Sequence, residues 1–453
     1  MATEGARYRF GPRERGGALA GLRAGQILTV AFGLVVGVLT LRWQPDPVGV
    51  VMAFIVLAIC AALATWPVAG RTGDQWFPVV VLWGARGFGP RGHRQLGPLR
   101  GLRLLRAGWR DMGVVHDRKG RTLTAALSLR GQSFALLGPD EQDRRVGGWS
   151  SVLASMAREG SPVRRVQWLA ASFPDQGHSV RSYMATRSSA GAASECVASY
   201  EALLNDMDAD ACTHDVVLTV QVKLSKSIEV GCESLQRELS SLVRQLADAE
   251  VLVEGVLTAE DLARMLQRTY EPNHEPFDGA HPVVDPWPMA MEEEWSLVRV
   301  DGMVHVTYWV AEWPRTEVRS DFLAPLLLGS ARATLSLVME PLGPDVAVRK
   351  VEASRTADLA DAELRRRGGF ISTARHARES EVLARREVEL ADGHASFRYS
   401  GFITVSAPSV PELVSACDTV QHAAGQCRLA LRRLYGDQAS AYTCTLPLGR
   451  GLA

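Results

Sequence analysis

Two His–Asp neighbours, His116-Asp117 and His214-Asp215, bring together the residue types of a general base and its orienting carboxylate. Neither has a serine or cysteine at a recognisable spacing, so both read as turn residues with satisfied side chains. The proline-rich stretch 271–287 carries His274, Asp278, His281 and Asp285, which could be drawn as a metal site. Loop polarity explains the four equally well, and no metal ligand is assigned. A phosphate-binding loop needs GxxxxGK[ST], because its lysine reaches the β/γ-phosphates and its hydroxyl reaches magnesium. The lysines are Lys119, Lys223, Lys226 and Lys350, and none follows a glycine. Ser225-Lys226-Ser227 keeps the tail of that motif without its glycines and reads as an exposed strand end. Glu292-Glu293-Glu294 precedes a strand and reads as a solvated face. A GxSxG nucleophile elbow and an HExxH zinc helix are both missing from the sequence. The residues therefore designate no catalytic, cofactor-binding or metal site, and the chain is predicted not to be an enzyme.

Composition narrows the field further. Fifty basic and fifty acidic residues cancel, so no global field favours nucleic acid. The cysteines at 60, 196, 212, 232, 417, 427 and 444 are widely spaced and include no CxxC pair. That argues against a disulfide framework or a zinc knuckle and for thiols in a reducing compartment.

The elements that would position any site begin with two apolar runs. Residues 27–41 and 48–68 carry no charge, and the second approaches the roughly 20 residues needed to cross a bilayer core. Arg42-Trp43-Gln44-Pro45-Asp46-Pro47 separates them as a tight polar turn. Backbone groups in hydrocarbon must be satisfied internally, so each run is predicted to be a helix and the pair a hairpin. A cleaved leader would be far longer than usual and would hold two apolar runs, which excludes it. Arginines crowd both flanks (7, 9, 13, 15 and 23 before; 71, 86, 91, 94, 100, 103, 106 and 110 after), against one in the turn. The positive-inside rule places both termini in the cytoplasm, in a multi-pass protein of the plasma membrane. Gly33 and Gly37 form a GxxxG that could seat a neighbouring helix. The basic stretch 71–110 fits either a segment along the anionic inner leaflet or a solvated linker.

Beyond residue 112 the hydrophobic period alternates between two and 3.6. Strands are predicted at 122–129, 163–171, 215–224, 251–256, 298–313, 333–340, 396–406 and 427–434. Helices are predicted at 139–158, over Leu235 to Leu246, after a Thr258–Asp261 capping box, and at 410–424. Residues 345–389 read as two charged helices broken at Gly368-Gly369. The fold class is α+β, with ferredoxin-like strand–helix–strand units. The expected division is 1–70 (basic segment and transmembrane hairpin), 71–112 (juxtamembrane linker), 113–275 (first cytoplasmic domain), 276–296 (proline-rich loop) and 297–453 (second domain).

Residues 10–14 (FGPRE) and 21–26 (GLRAGQ), followed by two membrane helices, resemble the PrgI family of bi-helical inner-membrane subunits in type IV secretion and conjugation machines. Residues 113–131, 214–266 and 402–448, the last closing in Thr445-Leu446-Pro447-Leu448-Gly449, resemble the non-catalytic N-terminal part of VirB-type secretion ATPases. In those ATPases a motor domain follows such an ending, whereas here the sequence given stops at Ala453. The resemblance implies a scaffold subunit without cofactors. Its expected partners are a secretion ATPase supplied in trans, other inner-membrane subunits and the lipid bilayer, with no specific nucleic acid. The architecture is also similar to EccE of type VII secretion, and a membrane-anchored enzyme with an unrecognised site is the alternative of another class.

Overall fold

The computed structural model describes residues 7–8, 24–66, 71–87, 97–131, 134–174, 194–207, 212–224, 226–271, 285–367, 381–382, 384–385, 387–390 and 395–451. They group into two compact units. One comprises Met1–Phe10, Arg94–Ala347 and Gly393–Ala453, the other Gly11–His93 and Val348–Asp392.

The second unit contains the apolar runs as helices α1 (Ala24–Trp43) and α2 (Pro47–Thr65), followed by α3 (Gly73–Gly87). Pro47 opens α2 directly after Asp46, where a missing N–H costs nothing. Gly25–Trp43 and Pro47–Thr65 are each 19 residues of membrane-compatible composition. At 1.5 Å per residue each is about 28 Å long, matching a hydrocarbon core. Only 11% and 17% of these stretches is buried. Phe32, Leu28 and Phe54 are about two-thirds exposed or more, the reverse of a soluble core helix. Where α1 and α2 touch, small residues allow close approach. A methyl group on Gly33 would lie 2.7 Å from the Cys60 Cβ, and one on Gly37 would lie 3.8 Å from the Ala53 Cβ. The GxxxG thus seats α2 of the same chain. Thr29 and Thr40 return their hydroxyls to the carbonyls of Gly25 and Val36, so neither leaves a polar group open to an apolar surround.

The first unit is built on one antiparallel sheet. Its strands are β2 (Leu102–Ala107), β3 (Met112–Asp117), β4 (Thr122–Leu129), β5 (Val163–Pro174), β6 (Cys212–Lys223), β7 (Val253–Val256), β8 (Met291–Glu293), β9 (Val298–Val300), β10 (Met303–Glu312), β12 (Ala333–Leu342), β13 (Ser396–Ala407) and β14 (Ala430–Arg433). Across the sheet they run β2-β3-β4-β6-β5-β12-β13-β10-β9-β8, with β7 also on β4 and β14 also on β10. A separate pairing joins β1 (Arg7–Tyr8) to β11 (Val318–Arg319). The helices are α4 (Pro139–Met156), α5 (Ser194–Met207), α6 (Ile228–Asp248), α7 (Ala259–Tyr270), α8 (Ala324–Leu327), α9 (Pro344–Arg367, counted with the second unit from Val348 on), α10 (Val410–Gln426) and α11 (Gln438–Thr443).

The chain path repeats itself. In the first half β4 lies beside β6, β6 beside β5, and β7 returns to the free side of β4. In the second half β10 lies beside β13, β13 beside β12, and β14 returns to the free side of β10. A short hairpin strand, β3 or β9, shares that free side in each case. The halves join where β5 pairs antiparallel with β12, from Val166↔Met339 to Ser172↔Ala333.

Strand alternation explains the two layers of core. Leu123, Leu127, Leu218, Val220 and Val222 meet Leu235, Leu239 and Leu246 of α6 and Val152 and Met156 of α4. On the same side Val306, Ile403 and Val405 meet Leu413, Cys417 and Val420 of α10. The opposite side packs Val115, Leu169 and Val217 against Leu262 and Leu266 of α7 and Tyr442, Leu446 and Leu448. The capping box forms as expected, Thr258 Oγ1 accepting from the Asp261 N–H while Asp261 accepts from the Thr258 N–H.

Two expectations change. Residues 298–313 form a hairpin rather than one strand, because Asp301-Gly302 supplies a two-residue turn with Asp301 at φ 46°. The basic stretch 71–112 contains α3 and β2, so its composition conceals regular structure. The break at Gly368-Gly369 lies outside the described residues.

The close helix contact gives a direct test. Gly33→Val in detergent-solubilised protein should cost about 1–3 kcal/mol by overpacking and lower the Tm, while Phe32→Val on the exposed side should leave it unchanged. Equal melting of the two variants would contradict the contact.

Candidate functional site

The structure separates both His–Asp pairs. Neighbours on a strand point to opposite faces, so His116 and Asp117 on β3, and His214 and Asp215 on β6, do not hydrogen-bond one another. Asp117 accepts from the Lys119 and Gly120 N–H groups at the β3–β4 turn and pairs with Arg450 at 2.6 Å. Burial opposes its ionisation, but the Gly120 N–H and the Arg450 guanidinium outweigh it and hold the carboxyl below its ordinary value. Asp215 pairs with Arg268 of α7 at 3.0 Å, and burial pushes its carboxyl up despite that cation. His214 instead meets Ser172, its cross-strand partner on β5, with Oγ 2.8 Å from Nδ1. Sequence spacing gave no sign of this contact, since the two residues are 42 positions apart. Ser172 also donates to the Leu327 carbonyl and is buried, so the contact is a satisfied cross-strand pair.

His274, Asp278 and His281 lie outside the described residues, and Asp285 accepts from the Trp287 N–H. Among the described residues no three His, Cys, Asp or Glu side chains converge as metal ligands. Ser227 of the Ser225-Lys226-Ser227 run caps α6 by accepting from the Val230 N–H. The glutamate run is not simply solvated: Glu293 accepts from the Ala439 N–H in the first turn of α11, and Glu294 pairs with Arg299.

Where the structure concentrates polar groups is a place the motifs did not mark. After β14 the chain runs as a buried strap, through α11 to Gly451, across the face of the sheet opposite α6 and α10. Strand β10 meets it through backbone groups, and each strand from β13 to β3 through a polar side chain. On β10 the Thr307 N–H donates to Gln438 Oε1 at 2.8 Å, and Gln438 donates back to the Thr307 carbonyl. Thr404 of β13 meets Thr445 at 2.7 Å. Ser336 of β12 donates to the Cys444 carbonyl at 2.7 Å. Gln167 of β5 reaches the Cys444 and Leu446 carbonyls and accepts from the Gly449 N–H at 2.8 Å. Gln221 of β6 and Thr124 of β4 both donate to the Leu448 carbonyl. Asp117 of β3 holds Arg450. Tyr442 stacks on His305 with ring centroids 4.5 Å apart, and its hydroxyl meets Thr269 of α7. Burial, with the nearby Arg332 cation, pulls His305 down to about 3, so the ring is neutral.

A cleft of about 270 Å³ opens where the strap ends, lined by Thr122, Arg164, Gln221, Thr443 and Arg450 among others. Arg450 is engaged by Asp117, and Arg165 by Glu340, which also takes Arg398. Burial works against Glu340, yet the Arg398 and Arg165 bonds hold its carboxyl below the ordinary value. The lining offers cations, hydroxyls, a thiol, an amide and the Asp117 carboxylate, which Arg450 engages.

Two measurements test the strap. Gln167→Leu strands the Gly449 N–H and takes one donor each from the Cys444 and Leu446 carbonyls, and should cost about 1–3 kcal/mol in urea unfolding while speeding trypsin cleavage after Arg450. Unfolded His305 takes up a proton below about 6.5, whereas folded His305 stays neutral down to about 3. Stability is therefore lost as pH falls from 6.5 towards 3, and His305→Asn should flatten that slope by up to about 1.4 kcal/mol per pH unit. An unchanged slope would mean His305 titrates normally. No protein-family model matches this chain, and a search of curated proteins finds no match.

Proposed function

We propose that this chain is a non-catalytic inner-membrane scaffold subunit of a type IV-like secretion or conjugation machine. Its helix pair crosses the bilayer twice, and its sheet body docks a separate ATPase on the cytoplasmic side. The observation that carries the membrane part is the exposure of α1 and α2: two apolar helices of bilayer length bury only the small residues between them. Water would leave a continuous apolar surface of this size unprotected, whereas lipid solvates it.

The topology reading has its own support. Arg7–Tyr8 pairs with Val318–Arg319 of the first unit, and the chain returns to that unit from Arg94 onward. A path that leaves one soluble unit and comes back to it crosses the bilayer an even number of times. The arginine-rich flanks favour the cytoplasm for that unit and both termini.

The body supports the docking role by its form. Numbering the strands of each half by chain order, both halves have the order 4-1-3-2, as β7-β4-β6-β5 and β14-β10-β13-β12. That order supports reading each half as a ferredoxin-like unit, and two such units side by side would present a broad surface.

Affinity purification of the full chain in mild detergent from its own cells should bring down an ATPase of the secretion class, and the isolated chain should not hydrolyse ATP. Purification as a partnerless monomer, or sustained hydrolysis by the chain alone, would sink the scaffold reading.

A further inference from the structure

Helix α3 lacks the polar outer face that a helix in water needs. From Trp76 to Trp83 its sequence, WFPVVVLW, holds no polar residue. Phe77, Val80 and Val81 stand at positions i, i+3 and i+4, on one face, and are 71%, 52% and 50% exposed. The first turn of α3 is packed against the hairpin at the end away from the Trp43–Asp46 turn. A methyl group on Gly73 would lie 2.8 Å from the Leu63 carbonyl oxygen, and one on Gly25 would lie 2.7 Å from Asp74 Oδ2.

Length excludes a third crossing. Eight apolar residues span about 12 Å, against a core of about 30 Å, and Pro78 interrupts the hydrogen bonding of the helix. Charge favours the lipid surface: Arg71 stacks over Trp76 at 5.4 Å, Arg86 follows in sequence, and the acid of the first turn, Asp74, is held by the Thr72 hydroxyl. Indoles and arginines at the ends of a short apolar helix are the composition of an interfacial helix.

We propose that α3 lies in the headgroup region of an anionic bilayer, with Phe77, Val80 and Val81 in the acyl boundary. It would act as an in-plane foot that sets the rotation and depth of the hairpin. This rests on the reading of α1 and α2 as membrane-spanning, and the test separates the two. The full chain, carrying p-benzoylphenylalanine in place of Leu39, Phe77 or Asp140, is reconstituted in phosphatidylcholine–phosphatidylglycerol vesicles and irradiated, and adducts are identified by mass. Leu39 is an exposed hairpin position and Asp140 an exposed site on α4. Lipid adducts at positions 39 and 77 but not at 140 are expected, with Val81 as a second probe of the same face. Adducts at 39 without any at 77 or 81 overturn the interfacial helix alone. None at 39 overturns the membrane reading beneath it.

Discussion

A buried row of polar side chains on one face of the sheet is the constraint on which the sheet unit depends. Thr124, Gln221, Gln167, Ser336, Thr404 and Thr307 stand on adjacent strands and are nearly inaccessible to water. Unpaired, each would cost about 1–3 kcal/mol. The strap between Gln438 and Arg450 resolves this by offering backbone carbonyls, an N–H and its own side chains at matching positions. The need is mutual, since the strap carries backbone groups that would otherwise be buried without partners. Neither the row nor the strap is tolerable alone, so the last segment of the described chain completes the fold.

That requirement also joins the two halves. Each half has its own helix-covered core, but the strap begins on β10 of the second and ends at Asp117 of the first. Gln167 sits where the halves meet and holds three strap residues, next to the β5–β12 pairing. The network is dense but not fully satisfied, since Thr219 Oγ1, Gln221 Oε1 and His305 Nε2 are buried without a hydrogen-bond partner. The cleft at the strap's end, with Arg164 and Arg450 in its lining, is the place where this network reaches solvent.

The membrane-compatible unit works by another rule. In lipid there is no hydrophobic gain from bringing two apolar helices together, so contact depends on close packing of small residues. Gly33 and Gly37 against Cys60 and Ala53 supply it. The bulky side chains of α1 and α2 point outward, where a water-soluble protein would carry charge. The residues within the apolar runs set length and contact.

Much of the architecture was legible because it is written in local periods. The two apolar runs, the strand at Thr122–Leu129, the helix from Pro139, and the Thr258–Asp261 capping box each depend on residues close together in sequence. The hairpin at Asp301-Gly302 was missed because apolar residues continue through it, and the dipeptide is the sole signal of the turn. The polar network was not legible at all. Alternation of Leu218 and Val220 with Thr219 and Gln221 is the pattern of a sheet with one face in water, and a strap more than two hundred residues away covers it instead. The His–Asp neighbours invited a dyad that strand geometry forbids, and the Ser172–His214 contact arises from register. Sequence by itself determined the membrane-length helices, the α+β class and the lack of a recognisable catalytic motif, because each follows from composition or short-range spacing. Tertiary structure decided which polar residues are buried, what satisfies them and how the halves join, because those depend on which distant segment comes to lie across the sheet.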